Sequence, residues 1–270
     1  MAKSPARGPA WMHTLFGLFD RPPLYQFVAI AIWTGLAWGA GRLLLGHLNR
    51  RFRLDGGVLP VAPFFVSVTT LFALFLGFLA ADIWAEKRRA SDAAYAERAA
   101  LERFVTLSGP EVLDAADALA AAERYRRRVI EQEWGAARNG AADPETEAAL
   151  RAMWSAAARL TGDASAVPAS GHLFVALEGL SGARSDRLSI GAAHGGSTAW
   201  YSVLALWVFS FAALAVVHLD RPAAGRLAMT VFALATSVAF FFLILHDSPY
   251  GGGVRIDPSL LAELPVPPTD

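Results

Sequence analysis

Apolar and polar positions along this chain separate into long blocks and do not alternate. Four blocks are apolar over the length of a bilayer crossing, which takes about 20 helical residues. They are 24–45 (LYQFVAIAIWTGLAWGAGRLLL), 61–84 (VAPFFVSVTTLFALFLGFLAADIW), 200–218 (WYSVLALWVFSFAALAVVH) and 227–245 (LAMTVFALATSVAFFFLIL). Short turns join the first to the second and the third to the fourth, so the spans pair as two hairpins. Trp33, Trp38, Trp84, Trp200, Tyr201 and Trp207 include several near the predicted ends, where amphipathic rings suit the headgroup layer. Arg42, the one charge in the first span, lies near its end, where its side chain reaches headgroups.

Between the hairpins, 85–199 is alanine-rich and charged. Its apolar residues recur at three and four: Leu101, Phe104, Val105; Val112, Leu113, Ala116, Leu119; Val129, Ile130, Trp134. That spacing predicts amphipathic helices. Breakers at SGPE (108–111), RNGAADPE (138–145) and TGDASAVPASG (161–171) divide them. The helices predicted are an extension of the second span to about Leu107, then about 110–137, 144–161 and 172–190. Ser108 is expected as a cap with Pro110 and Glu111 in the first turn, and Asp143 or Pro144 as a helix start. The fold class is therefore all-α: an integral membrane protein with four transmembrane helices and a helical extramembrane domain between spans two and three. The expected organisation is an N-terminal segment (1–23), hairpin 1 (24–84), the helical domain (85–199), hairpin 2 (200–245) and a Gly/Pro-rich tail (246–270).

The second span has no polar break at its end. Between Pro63 and Leu107 only Gly77 weakens a helix. Unbroken, that segment is one helix roughly 65–70 Å long, passing from apolar sequence into the charged run AEKRR.

Composition agrees with a membrane class. Of the chain's 270 residues, 54% are hydrophobic and 18% charged. Basic and acidic residues balance at 24 each, so no overall field points to nucleic acid. Cysteine is absent, which removes disulfides, thiolate nucleophiles and cysteine metal sites. The six histidines (13, 47, 172, 194, 218, 246) are dispersed and none has a partner at helical metal-site spacing. No Walker loop, dinucleotide fingerprint or G-x-S-x-G elbow occurs. No metal or organic cofactor is expected, and enzyme chemistry is not. Acids are missing from the span centres, which argues against a proton-coupled pump. No cleavable signal peptide is expected, and WMHTLFGLF (11–19) is apolar enough to lie in the interface. Orientation is contested by charge: Arg50, Arg51, Arg53, Arg221 and Arg226 mark the short turns, while Arg21, Lys87, Arg88 and Arg89 mark the other side. The expected placement is a bacterial inner membrane with the helical domain cytoplasmic.

Span two resembles the bestrophin channel family. A proline-led apolar helix (Pro63) reaches Leu76-Gly77-Phe78 and continues as AADIWAEKRRASDAAYAERAALERF. Bestrophins follow their fourth span with an acidic-Pro-Phe-Gly sequence, and LHDSPYGGGVRIDPSLL offers Asp247, Pro249, Tyr250 and Gly251. The helix YRRRVIEQEW and the C-terminal Pro-aromatic-x-Gly stretch are more closely similar to a mainly bacterial family described as bestrophin-like. The resemblance implies a homo-oligomer, pentameric by analogy, with span two lining a pore through which inorganic ions pass. It has departures. Glu86, Lys87 and Arg88 stand where bestrophins carry Arg-Trp-Trp, and the acidic calcium cluster has no counterpart, since Asp247 and Asp257 are too few for a calcium cage.

The bestrophin neck uses apolar residues four apart, and the matching positions are Thr70, Leu74 and Phe78. Neighbours four apart stack on one helix face, so around an axis each would form a ring and the apolar rings would constrict a pore. The plain alternative is helix packing or lipid contact. Asp82 and Glu86 would form a charged vestibule, or a solvated helix surface. Ser67, Thr69 and Thr70 are hydroxyls that would coordinate an ion or bond back to helix carbonyls. Arg184 and Arg187, one turn apart, are expected to clasp a carboxylate, with Glu133 as the candidate partner in an interdomain polar contact. The competing function is a membrane-anchored helical interaction or scaffold protein with no pore.

Overall fold

The computed structural model describes residues 22–51, 62–135, 139–161, 167–192, 198–251 and 253–264. The interfacial piece at 11–19 lies outside them. Among the described residues all regular structure is helical: α1 (Pro23–Arg51), α2 (Ala62–Ser108), α3 (Ala116–Arg128) running into one π-helical turn (Val129–Glu133), α4 (Pro144–Leu160), α5 (Val167–Ala192), α6 (Thr198–Val217), α7 (Pro222–Asp247) and α8 (Ser259–Ala262). Among the described residues four helices are long and apolar enough to cross a bilayer: Pro23–Leu44, Pro63–Ser108, Ala199–Val217 and Pro222–Asp247. The second is uninterrupted, as the lack of a breaker after Pro63 required.

The described residues fall into two compact units. One is drawn from Met1–Ala85 and Gly195–Asp247, the other from Glu86–His194 and Ser248–Asp270.

In the first unit α1 packs against both α6 and α7. Lipid tails are as apolar as leucine, so membrane helices associate through close packing and a few polar bonds. Both are present. Gly41 lies against Met229, where an added Cβ would already sit 3.5 Å from its sulfur. The indole of Trp207 donates to Thr236 Oγ1 (3.0 Å), that of Trp38 donates to Thr230 Oγ1 (3.0 Å), and Ser237 donates to Thr34 (2.9 Å). An aromatic cluster fills the centre. The Trp207 ring meets Phe211 and Phe240 edge-on at 5.1 and 5.7 Å, and Phe72 of α2 meets Phe232 and Phe240. Such edge-on pairs add about 0.5–1.5 kcal/mol each beyond burial.

The second unit has a core built at helical spacing. Along α2 the buried face runs Ala90, Ala94, Glu97, Leu101, Phe104, Val105 and Ser108. It meets Tyr125 and Val129, then Met153, then Leu173, Leu177 and Leu180. Helix α3 packs on α4, and α4 on α5. The C-terminal segment docks here. Tyr250 is buried, donates to Ala90 O at 3.1 Å and meets the Trp134 ring edge-on at 5.8 Å. Trp134 in turn donates to Ile256 O, and Lys87, Arg98 and Arg126 donate to the carbonyls of Val254, Leu260 and Ala262.

Three boundaries in this unit differ from expectation. The helix expected from 110 begins at Ala116. The N–H groups of Val112, Leu113 and Asp114 all turn back to Gly109 O, and Asp114 takes the left-handed φ of 46°, which stops helix propagation. Ser108 is no cap: its hydroxyl is buried without a hydrogen-bond partner. At the other end the regular helix gives way to the π turn, Trp134 is extended and Gly135 has φ 118°. The helix expected from 172 already runs from Val167, so Gly171 sits within it. The Asp143 start holds: its carboxylate accepts from Thr146 N–H at 2.8 Å with Pro144 at the first helical position.

Candidate functional site

Two groups of residues carry chemistry. The first is a face of α2. Phe72, Leu79 and Ile83 point into the core of the first unit, while Thr70, Leu74, Phe78 and Asp82 are exposed. Leu74 is 50% and Phe78 61% accessible, in the range of other outward-facing apolar side chains of the spans such as Leu36 at 65% and Leu234 at 64%. The hydroxyls of the span divide. Ser67 donates to Pro63 O and Thr69 to Phe65 O, the back-bonding usual inside helices. Thr70 has no such bond among the described residues.

At about 100° per residue, each four-residue step turns the face by about 40°. Thr70, Leu74 and Phe78 therefore stay within about 80° of one another. Glu86 lies about 80° beyond Phe78, and it is partly buried whereas Asp82 is exposed. Among the described residues no atom outside the local helix comes within 4 Å of a Cβ built at Gly77, so none of the described helices uses it for close approach.

The second group is a buried polar clamp in the helical unit. Glu97 (α2), Glu133 (the π turn), Arg184 and Arg187 (both α5) converge. Arg184 grips Glu133 with Nε and Nη2 at 3.0 and 2.6 Å, and reaches Glu147 of α4 at 2.6 Å. Arg187 donates to Glu97 (2.5 and 3.2 Å), to Glu133 Oε2 (3.0 Å), to the Glu133 carbonyl (3.3 Å) and to Asn139 Oδ1. Its guanidinium lies over the Trp134 ring, 5.2 Å from the centroid. Tyr125 completes the shell by donating to Glu97 at 2.6 Å. Arg187, Glu97 and Glu133 side chains are all 0% exposed.

The charges balance: two carboxylates against two guanidinia at the centre. Burial opposes ionisation of Glu133, but hydrogen bonds from Arg184 and the Asp143 N–H outweigh it and hold its pKa below the ordinary carboxylate value. Burial also opposes the Arg184 and Arg187 charges, and their carboxylate partners likewise outweigh it. For Tyr125 burial and the neighbouring Glu97 act together and push its pKa well up. Glu133 continues the inward face of Tyr125 and Val129 at four-residue spacing, and the helix ends there, so the extended Trp134 is buried beside it.

Arg184, Arg187 and Glu133 do meet, and all three lie within one unit, so the contact expected between domains is made inside the helical unit. Sequence reasoning missed Glu97, Tyr125, Asn139 and Glu147. For Glu97 a signal existed: it occupies an inward position in the series Ala90, Ala94, Glu97, Leu101, Phe104, and an acid on an apolar stripe needs a buried cation. For Asn139 there is no comparable signal.

A family model described as Bestrophin-like domain matches residues 28–261. The chain belongs to the bestrophin-like family. No curated protein and no solved structure matches it. The match covers both units of this bestrophin-like chain, including the exposed face of α2 and every residue of the clamp. With four helices able to cross a bilayer, the family assignment makes this a membrane protein.

Proposed function

We propose that this bestrophin-like protein is a passive ion channel in which α2 lines the pore of a homo-oligomer, a pentamer by resemblance. The observation that carries the reading is the division of α2. One side of the span packs into the protomer, while Leu74 and Phe78 stand exposed on the same face as Thr70, whose hydroxyl has no partner among the described residues. Copies arranged around an axis would turn that face into two apolar rings and one polar ring. Apolar rings gate by dewetting, and a free hydroxyl replaces part of an ion's hydration shell. Asp82 would stand at the pore mouth, and Glu86 at its margin. Ions would move down their electrochemical gradient with no chemical step. The helical unit would lie in the cytoplasm of a bacterial inner membrane, and its clamp would hold α2 and α5 rigid.

The test is ion flux through the purified chain in liposomes, followed by single-channel recording. Leu74→Ala and Phe78→Ala widen and wet the constriction, so each raises conductance. A protein that forms no oligomer and passes no ion would leave a membrane-anchored helical scaffold.

A further inference from the structure

Between α1 and α7 the first unit carries an outward-facing groove of about 630 Å³, a volume in the range of small-molecule clefts. Phe27, Ile30, Gly35 and Trp38 line one wall, and Val238 and Phe241 the other. The hydroxyls on its floor are occupied. The Ser237 hydroxyl lies within hydrogen-bond distance of both Thr34 Oγ1 and Ala233 O, and Thr230 accepts from Trp38 while donating to Arg226 O. What remains facing outward is hydrocarbon.

One end of the groove is charged. Helices α1 and α7 run antiparallel, with Phe27 against Phe241, Thr34 against Ser237 and Trp38 against Thr230. One turn further in the same register, Arg42 comes level with Arg226. Arg42 stacks on the Trp38 ring, 4.6 Å from its centroid. Both arginines are exposed, and among the described residues neither has an ion-pair partner. The arginines stand near the ends of their spans, where headgroups lie.

We propose that this groove binds an anionic phospholipid drawn from the bilayer. One acyl chain lies between α1 and α7, and the phosphate sits on Arg42 and Arg226. An apolar slot ending in two cations complements an amphiphile with a negative head, and the ring of Trp38 joins the two regions. A zwitterionic lipid fits the slot but carries a cation beside its phosphate, which the arginines oppose.

Gly35 supplies a clean blocking variant. Gly35 lines the groove and a Cβ built there meets nothing within 4 Å, so a side chain added at this position starts in open space on the groove wall. The full chain is equilibrated in vesicles of phosphatidylcholine and phosphatidylglycerol in equal parts, extracted in mild detergent, and its bound lipids counted by native mass spectrometry. Wild type retains phosphatidylglycerol over phosphatidylcholine. Arg42→Gln with Arg226→Gln weakens apparent phosphatidylglycerol affinity about thirtyfold, at the usual surface contribution of two arginines. Gly35→Leu releases both lipids while the circular dichroism of the helices is unchanged. Equal retention of the two lipids by wild type overturns the inference, as does retention indifferent to these substitutions. So does a lipid-free protein whose Gly35→Cys variant cross-links between copies, since the groove is then a subunit contact. Phosphatidylglycerol retained by a protein that conducts nothing would uphold the lipid site and refute only the channel.

Discussion

Replacing Arg187 by Gln tests the clamp most severely. The guanidinium makes five hydrogen bonds, to Glu97 twice, to Glu133 through its carboxylate and its carbonyl, and to Asn139. Its removal changes the buried balance from two against two to one cation against two carboxylates. Glu133 keeps Arg184 and the Asp143 N–H. Among the described residues Glu97 then keeps only the Tyr125 hydroxyl, so the cost falls on one buried, unpaired carboxylate. Breaking a buried pair in this way costs about 3–5 kcal/mol. Converting Glu97 to Gln in the same chain removes the orphaned charge, so the double variant is less destabilised than the sum of the singles, by about 1–3 kcal/mol. The assay is native-state hydrogen exchange on the detergent-solubilised full chain, reading amides of α5 and of α2 beyond Glu86. Arg187→Gln lowers their protection by more than about a hundredfold. A loss below about 1 kcal/mol, or strictly additive singles, would show that the ion pairs are not the source of rigidity and refute the reasoning.

Gly191→Ala attacks the same clamp from the backbone. A Cβ at this position would collide with the Asn139 carbonyl, so Asn139 must move off Arg187, and the stability of the helical unit, read by thermal unfolding, falls by about 1–3 kcal/mol. The tyrosines supply an alkaline prediction. Burial raises the pKa of Tyr125, together with Glu97, and that of Tyr250. Their contribution to stability is complete below the unfolded value near 10 and falls as pH rises above it, so tyrosinate absorbance from these two residues appears only with unfolding. Glu133 has the opposite sign. Its pKa is depressed below 4.5, so its contribution is present above that value and is lost as acid titrates the folded carboxylate. Glu133→Gln would therefore flatten the acid limb of the stability curve.

The parts of the fold legible in the sequence are those set by long-range uniformity of solvent. Four apolar blocks had to become spanning helices because a bilayer leaves the backbone no other internal bonding. The unbroken α2 followed from the absence of a breaker after Pro63, and the start of α4 from the pairing of Asp143 with Pro144. The segment at 109–115 was misread because SGPE satisfies the local rules for a helix start. Three N–H groups competing for Gly109 O decide it instead, and composition does not reveal that competition. The clamp was half legible. Arg184 and Arg187 at one-turn spacing announced a carboxylate, but the surrounding charge-rich alanine helices hid which acids turn inward. Glu97 is one acid among many on α2 until its phase relative to Leu101 and Phe104 is counted. Glu133 follows Tyr125 and Val129 at four-residue spacing, which places it on the inward face.

The chain contains no cysteine, so single cysteines placed on α2 report on that face alone. The decisive measurement is conductance of Thr70→Cys, Leu74→Cys and Phe78→Cys in planar bilayers, before and after a charged, membrane-impermeant thiol reagent, with Val238→Cys on α7 as the lipid-side control. A water-filled pore lined by α2 predicts that modification at the three α2 positions changes the current at once and that the control does not respond. Current unaffected by modification at all three, or changed equally by the control, would contradict the central claim.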